Sequence, residues 1–184
     1  MIRITAAILF LFFSISADAQ QKFLTRTGHI SFFSEAPLEN IEAHNRQVTA
    51  IVDAGKGSLA FKVIMKSFEF EKAAMQDHFN KQYLHTDKHP EACFEGSFVD
   101  PSALNVNKDG TYKVTVQGKL TIHGVTRDVK EAGVIEVKAN TLSTKAKFTI
   151  RLADYEVKVP SDYVRKISSE IDITVDATLN PFTR

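Results

Sequence analysis

The six histidines of this chain are the side chains best suited to catalysis or metal binding. His85 and His89 are four residues apart, a spacing that places two side chains on one face of a helix, but Pro90 disfavours helix at His89. His123 falls in a predicted turn, where a structural hydrogen bond is the usual role of a histidine. No H-E-x-x-H arrangement occurs. We predict no metal site and no catalytic residue, and keep as an alternative an enzyme that uses His123 or the His85/His89 pair.

Other catalytic and cofactor-binding motifs are absent from the sequence. It has no G-x-S-x-G nucleophile elbow and no glycine-rich phosphate loop. Its single cysteine, Cys93, excludes an intramolecular disulfide and a cysteine cluster for zinc or iron–sulfur. The 23 basic and 22 acidic side chains nearly cancel, whereas a nucleic-acid-binding protein would carry a basic excess. We therefore predict neither a cofactor nor a nucleic-acid partner.

The N-terminal residues have the features of a secretory signal peptide. Arg3 provides a positive start, residues 4–15 form an apolar run, and Ala17 and Ala19 are the small residues that a signal peptidase reads. The run is shorter than the ~20 residues of a transmembrane helix. We predict that residues 1–19 are removed and that residues 20–184 form one domain, which is periplasmic or secreted and makes no stable membrane insertion.

Apolar and polar residues alternate along most of the remaining chain, which indicates strands with one wet face. The pattern is clearest in 112–122, 142–152 and 167–179, and weaker in 23–34, 47–53, 58–70, 92–99 and 126–138. Turn residues at 55–57, 108–110 and 139–140 predict hairpin connections. Eight strands of this length favour a closed barrel, which leaves no exposed edge. The predicted fold is all-β, an eight-stranded antiparallel barrel.

One segment departs from the period of two. Met75, Phe79 and Tyr83 are spaced four apart between Lys72 and Leu84, which predicts a short amphipathic helix inserted between strands. The helix either plugs one opening of the barrel or acts as a lid over it. A phase shift of the apolar residues around positions 66–67 predicts a β-bulge.

The predicted inward face combines large apolar residues with small ones, which favours a cavity inside the barrel. The small residues are Gly96, Gly118, Ala146, Ser169 and Ala177. An eight-stranded barrel is wide enough either to be filled by its own side chains or to hold one small ligand. Strand parity predicts that the lumen is lined by Phe32, Phe61, Val63, Met65, Phe98, Leu120, Ile122, Phe148, Ile150, Ile171 and Ile173.

Three stretches, in the same order along the chain, resemble the YceI-like family of lipid- and polyisoprenoid-binding periplasmic proteins. Residues 83–94 are similar to the family run F-L-x-x-x-K-Y-P-x-x-x-F, although His89 replaces the aromatic residue before the proline. Residues 118–127 are similar to the hairpin G-x-L-T-I-x-G-V-T-K/R, and residues 148–155 to the penultimate strand. The resemblance implies a lipocalin-like barrel that holds an isoprenoid or related amphiphile along its lumen, with no catalytic residues.

The sequence and the resemblance together predict an exported carrier or sequestering protein whose partner is an isoprenoid or another lipid-like small molecule. A homodimer is a possible assembly. Besides the enzyme, a second alternative is a filled barrel that acts as a stress-related interaction module without a ligand.

Overall fold

The computed structural model describes residues 21–182, and the predicted signal peptide, residues 1–19, lies outside them. Nine strands occupy most of this range, all antiparallel to their neighbours. They are β1 (Lys22–Glu35), β2 (Asn40–Asp53), β3 (Ser58–Ile64), β4 (Glu69–Phe70), β5 (Glu91–Phe98), β6 (Gly110–Ile122), β7 (Val125–Lys138), β8 (Thr141–Arg151) and β9 (Glu170–Pro181).

Eight of these strands close into a barrel. Their hydrogen-bonded order is β1-β9-β8-β7-β6-β5-β3-β2, and β2 pairs with β1 to complete the ring. The two-residue β4 is an appendage that pairs with β2 only. The predicted eight-stranded antiparallel barrel is therefore confirmed. Closure follows from the one-sided alternation of the strands, because a sheet that is apolar on one face can bury that face by curling round on itself.

Two tight hairpins use left-handed backbone at their turns. His123 and Gly124, between β6 and β7, have φ angles of 52° and 76°, and Ala139 and Asn140, between β7 and β8, have φ angles of 47° and 60°. Two consecutive positive φ angles match the right-handed twist of the flanking strands. The hairpin connection predicted at 108–110 joins the antiparallel neighbours β5 and β6, but its loop is longer than predicted and contains a 3₁₀ turn, Pro101–Ala103.

The strand predicted over 58–70 is broken, and the β-bulge predicted at 66–67 is wrong. A 3₁₀ turn, Met65–Ser67, separates β3 from β4. Met65 and Phe68 are both buried. Side chains three residues apart lie on the same side of a 3₁₀ turn, so this turn lets both residues reach the core, which a continuous strand would not.

Strand β2 begins at Asn40, whereas the sequence predicted a start at residue 47. The prediction missed residues 40–46 because the polar residues there obscure the alternation. Ala43 and Asn45 are fully buried. Asn45 donates its side-chain N–H to the carbonyl of Ile64 at 2.8 Å and accepts from the N–H of Gln47 at 2.9 Å. A buried amide with both groups hydrogen-bonded is stable in a core position, which the residue type alone does not reveal.

The predicted helix is present between β4 and β5. It consists of α1 (Ala73–His78), followed directly by one π-helical turn, Phe79–Tyr83. We call the barrel end that carries these residues the upper end. It also carries the β1–β2 and β6–β7 turns and the connection from β8 to β9, whereas the chain enters and leaves at the lower end.

The lower half of the barrel is packed solid. Its side chains form one cluster, which consists of Phe23, Ala50, Val52, Phe98, Val106, Val114, Ile135, Val137, Leu142, Ala177 and Leu179. Several of these residues are completely buried, including Leu142 and Leu179. Four of these residues, Val52, Phe98, Val114 and Ile135, also border a cavity above them, so the cluster forms the floor of that cavity.

Candidate functional site

A cavity of about 510 Å³ occupies the upper half of the lumen. Its lining is almost wholly apolar and comes from all eight long strands, from α1 and its π-helical turn, and from the connection between β8 and β9. The volume lies within the ~300–1,000 Å³ range of pockets that hold drug-sized ligands. The upper half of the lumen is therefore not filled by the protein's own side chains.

Every residue predicted for the lumen wall lines this cavity: Phe32, Phe61, Val63, Met65, Phe98, Leu120, Ile122, Phe148, Ile150, Ile171 and Ile173. The three predicted lid residues, Met75, Phe79 and Tyr83, line it from the helical side. Strand parity places the wall residues there, because alternate side chains of a strand point to opposite faces. Their contact with a ligand stays a prediction.

Several lining residues were not predicted. Apolar ones include Ile30, Ile41, Phe68, Phe70, Phe94 and Val129, and polar ones include Ser34, Glu39, Lys72, His78, Glu131 and Lys166. The apolar set could have been found by extending strand parity to β1, β2, β5 and β7. Of the polar set, Ser34 and Glu131 lie at inward-facing strand positions and could have been found in the same way. The other four lie outside the strands, where strand parity gives no signal.

The small residues of the inward face do not open the cavity as predicted. Of the five, only Ala146 lines it. Gly96 and Gly118 face each other across β5 and β6, and a Cβ on Gly118 would lie 2.2 Å from the carbonyl oxygen of Glu95. These two glycines therefore permit a close approach of two strand backbones. Ala177 belongs to the packed lower cluster. The cavity is the space that remains because side chains that point into the upper half of the lumen from opposite walls do not reach one another.

A cluster of four phenylalanines holds the helical segment against the barrel. Phe79 of the π-helical turn stacks on Phe32 of β1, with ring centroids 5.7 Å apart and an interplanar angle of 18°. It also contacts Phe68 at 5.6 Å and Phe70 at 5.1 Å. Aromatic pairs of this kind add ~0.5–1.5 kcal/mol each beyond the burial of their area. The phenylalanine cluster therefore closes part of the upper opening and lines the cavity at the same time.

Charged groups gather at the rim of the upper opening. Lys72 forms an ion pair with Glu39 at 2.8 Å, which lowers the pKa of Glu39 and raises that of Lys72 through their shared hydrogen bond. Lys166 lies over the ring of Tyr163 at 5.9 Å. These four residues and His78 all border the cavity. The cavity thus has an apolar interior and a charged rim.

His123 meets His85 and His89, from the segment before β5, beside the β6–β7 turn. The His123 ring lies 4.7 Å from that of His89 and 5.7 Å from that of His85. Its Nδ1 is 3.2 Å from the carbonyl oxygen of Tyr155, and its buried Nε2 has no hydrogen-bond partner. A Cβ on Gly124 would lie 2.7 Å from the His89 ring. None of the three histidines borders the cavity, so the cluster packs the turns of the upper end against one another.

Among residues 21–182, no group of three or more His, Cys, Asp or Glu side chains could hold a metal ion. In the same range no helix has the length and apolar character needed to cross a bilayer. Cys93 borders the cavity, and burial raises the pKa of its thiol.

Comparison with protein families gives a match to the YceI-like domain over residues 16–179. The chain belongs to the YceI-like family. No curated protein sequence matches it, but solved structures share its fold.

The YceI-like fold is seen in three bacterial proteins with low sequence identity to this chain. A polyisoprenoid binding domain from Saccharophagus degradans, implicated in plant cell wall breakdown, aligns with a TM-score of 0.76 at 15% identity, over 89% of this chain and 99% of that one. BcnA of Burkholderia cenocepacia aligns with a TM-score of 0.68 at 18% identity, over 83% and 95%. The Campylobacter jejuni YceI protein aligns with a TM-score of 0.56 at 14% identity, over 100% of both chains.

Proposed function

We propose that this YceI-like protein binds an isoprenoid or another apolar or amphiphilic lipid in the lumen of its barrel, and that it carries or sequesters this lipid in the periplasm or outside the cell. The observation that supports binding is the apolar cavity of about 510 Å³ above a solidly packed lower core. The Saccharophagus degradans domain with the same fold is described as polyisoprenoid binding. The predicted signal peptide supports the place of action.

The free energy of lipid burial suits a carrier. Each carbon withdrawn from water contributes ~0.8 kcal/mol, so two or three prenyl units can offset an association cost of ~4–15 kcal/mol. In a cell the lipid is exchanged with a membrane, and transfer from one apolar phase to another is close to neutral. The chain therefore makes the lipid soluble, whereas selectivity must come from the shape of the cavity and from polar groups that meet the head group.

The first test is the identification of what the protein holds. The mature chain is purified under native conditions from its source organism, extracted with organic solvent and analysed by mass spectrometry. We expect a stoichiometric lipid. An extract without lipid, from a protein that also fails to take up a hydrophobic fluorophore, would contradict the proposal.

A pair of neighbouring substitutions tests the location of the site. Val116 borders the cavity, whereas Gln117 lies on the exposed outer face of the same strand. We expect Val116→Trp to reduce fluorophore binding at least tenfold because the indole occupies the cavity, while Gln117→Trp binds like the wild type. Equal binding by both variants would place the site outside the lumen.

The enzyme alternative is tested with the histidine cluster. Because His85, His89 and His123 lie outside the cavity lining, we expect their replacement by alanine to leave lipid retention unchanged. Loss of a measurable turnover of the co-purified molecule in these variants would favour the enzyme instead.

A further inference from the structure

The barrel wall has a seam between β7 and β8. These strands pair with each other only over Gly133–Lys138 of β7 and Thr141–Ala146 of β8. Residues 125–132 of β7 continue to pair with β6, and residues 147–151 of β8 continue to pair with β9. Within the described structure, residues 125–132 and residues 147–151 do not pair with each other. We call the gap between 125–132 and 147–151 the seam.

The cavity passes through the wall at the seam. It is bordered by inward-facing residues of both strands, such as Glu131 and Phe148, and also by Ala132, Val134 and Lys145, whose side chains lie on the outer face. Outward-facing strand residues border the cavity at one other position, Cys93 of β5, whereas three of them gather beside the gap in pairing between β7 and β8. The turn Leu152–Tyr155 contacts both strands at the upper end of the seam, so the opening lies below it.

Glu131 stands at the inner edge of the seam without a partner. The other carboxylate that borders the cavity, Glu39, is paired with Lys72 at the rim. Glu131 has no hydrogen bond or ion pair with any residue of the described range 21–182, and burial raises its pKa. A carboxylate that is partly withdrawn from water and has no donor is less stable in its charged form than a fully solvated one. A ligand that supplies a donor would offset this cost.

We propose that the seam is a lateral opening of the lumen and that Glu131 binds there the hydrogen-bond-donating head group, a hydroxyl or an ammonium, of the lipid whose chain lies in the cavity. This inference rests on the proposed function and adds the class of the head group. A carboxylate accepts hydrogen bonds from either group, and such bonds are stronger than those between neutral groups.

The surroundings of Glu131 disfavour an anionic head group at the seam. Lys145 is held 3.8 Å from Asp176 on the outer face. Tyr155 lies within electrostatic range of Glu131; its pKa is raised chiefly by burial and then by Asp154, Arg127 lowers it, and Glu131 adds a smaller increase. The Arg127 guanidinium donates to the carbonyl of Thr126. The cationic side chains that border the cavity elsewhere, Lys72 and Lys166, lie at the upper rim. An anionic lipid would therefore place its head at the rim.

The test compares probes that share one prenyl chain and differ in head group: farnesol, farnesylamine, farnesyl phosphate and the hydrocarbon farnesene. Their affinities are measured by displacement of a hydrophobic fluorophore from the mature protein. We expect farnesol and farnesylamine to bind at least tenfold more tightly than the other two probes. Glu131→Leu should remove this preference. Glu131→Gln should weaken farnesylamine about tenfold, which corresponds to ~1.4 kcal/mol.

Glu136→Gln is the matched control, because Glu136 lies on the exposed outer face of the same strand, and it should bind all four probes like the wild type. Unchanged affinity for both polar probes in Glu131→Leu, or tightest binding of farnesyl phosphate, would overturn the inference and leave the proposed function intact. Failure of the wild type to bind any probe, including farnesene, would overturn both.

A second measurement tests the opening itself. In a Cys93→Ser background, a bulky maleimide is attached to a cysteine introduced at Ala132, which is exposed beside the seam. The same label on Gln117→Cys marks a paired part of the wall. We expect farnesol uptake in stopped-flow measurements to be at least tenfold slower with the label at 132. Equal rates for the two labelled proteins would contradict a lateral opening.

Discussion

Truncation of Phe79 to alanine should loosen the helical segment over the lumen without unfolding the barrel. Phe79 is half-buried and contacts three other rings at 5.1–5.7 Å. Loss of a fully buried phenylalanine costs ~3–5 kcal/mol, so a half-buried one should cost about 2 kcal/mol. Since 1.4 kcal/mol is a factor of ten, the open form of this segment should become about 30-fold more populated.

Native-state hydrogen exchange of the amides in residues 73–84 measures this change directly, because it reports the free energy of local opening. Release of a bound fluorophore should accelerate by a similar factor, since Phe79 also borders the cavity. Gln82→Ala, at an exposed position of the same π-helical turn, is the control and should change neither quantity. If Phe79→Ala lowered the melting temperature of the whole barrel while release and local exchange stayed at wild-type values, the segment would not be an independent lid.

Three further substitutions test the packing and electrostatics of the barrel. Burial raises the pKa of Glu131 in the folded state. At pH values just above the ordinary glutamate pKa, the native state therefore binds more protons than the unfolded state. The free energy of unfolding falls as the pH rises through this range. Glu131→Gln should therefore melt higher than the wild type at neutral pH, with a difference that shrinks toward the ordinary glutamate pKa of ~4.3; a constant difference would contradict the shift. Gly118→Ala should destabilise by ~1–3 kcal/mol in urea unfolding, because its Cβ would lie 2.2 Å from a neighbouring carbonyl oxygen, whereas Gly55→Ala, with its nearest atom at 3.6 Å, should change little. Asn45→Ala should cost ~1–3 kcal/mol in the same assay, since it removes the hydrogen bonds to the Ile64 carbonyl and to the Gln47 N–H, and a loss below measurement error would mean that water replaces the side chain.

Strand parity predicted the walls of the lumen well because it depends on one local property. In β6 and β8 the alternation runs without interruption, so the inward side of Leu120, Ile122, Phe148 and Ile150 follows from the sequence alone. The rule was incomplete where local geometry departs from a strand. The 3₁₀ turn at Met65–Ser67 brings residues three apart to one side, and a period of two cannot describe that arrangement.

The role of the small residues was misjudged because it depends on neighbours that are distant in the sequence. At inward-facing strand positions, the lack of side chains on Gly96 and Gly118 suggests open space. In the barrel they face each other, with a backbone oxygen in the space that a Cβ would need. Whether a glycine opens a cavity or allows two strands to approach depends on the register between strands, which no single segment contains.

Periodicity and turn residues, which are local features, determined the eight-stranded barrel, its apolar lumen and the position of its inserted helix. Only the tertiary structure decided that the lower half is solid and the upper half hollow, that three histidines meet outside the lumen, and that β7 and β8 part beside Glu131. The physical reason is the distance along the sequence over which each feature is determined. Alternation reflects the geometry of successive residues on one strand, whereas a cavity, a cluster or a seam depends on which strands become neighbours and in what register they pair.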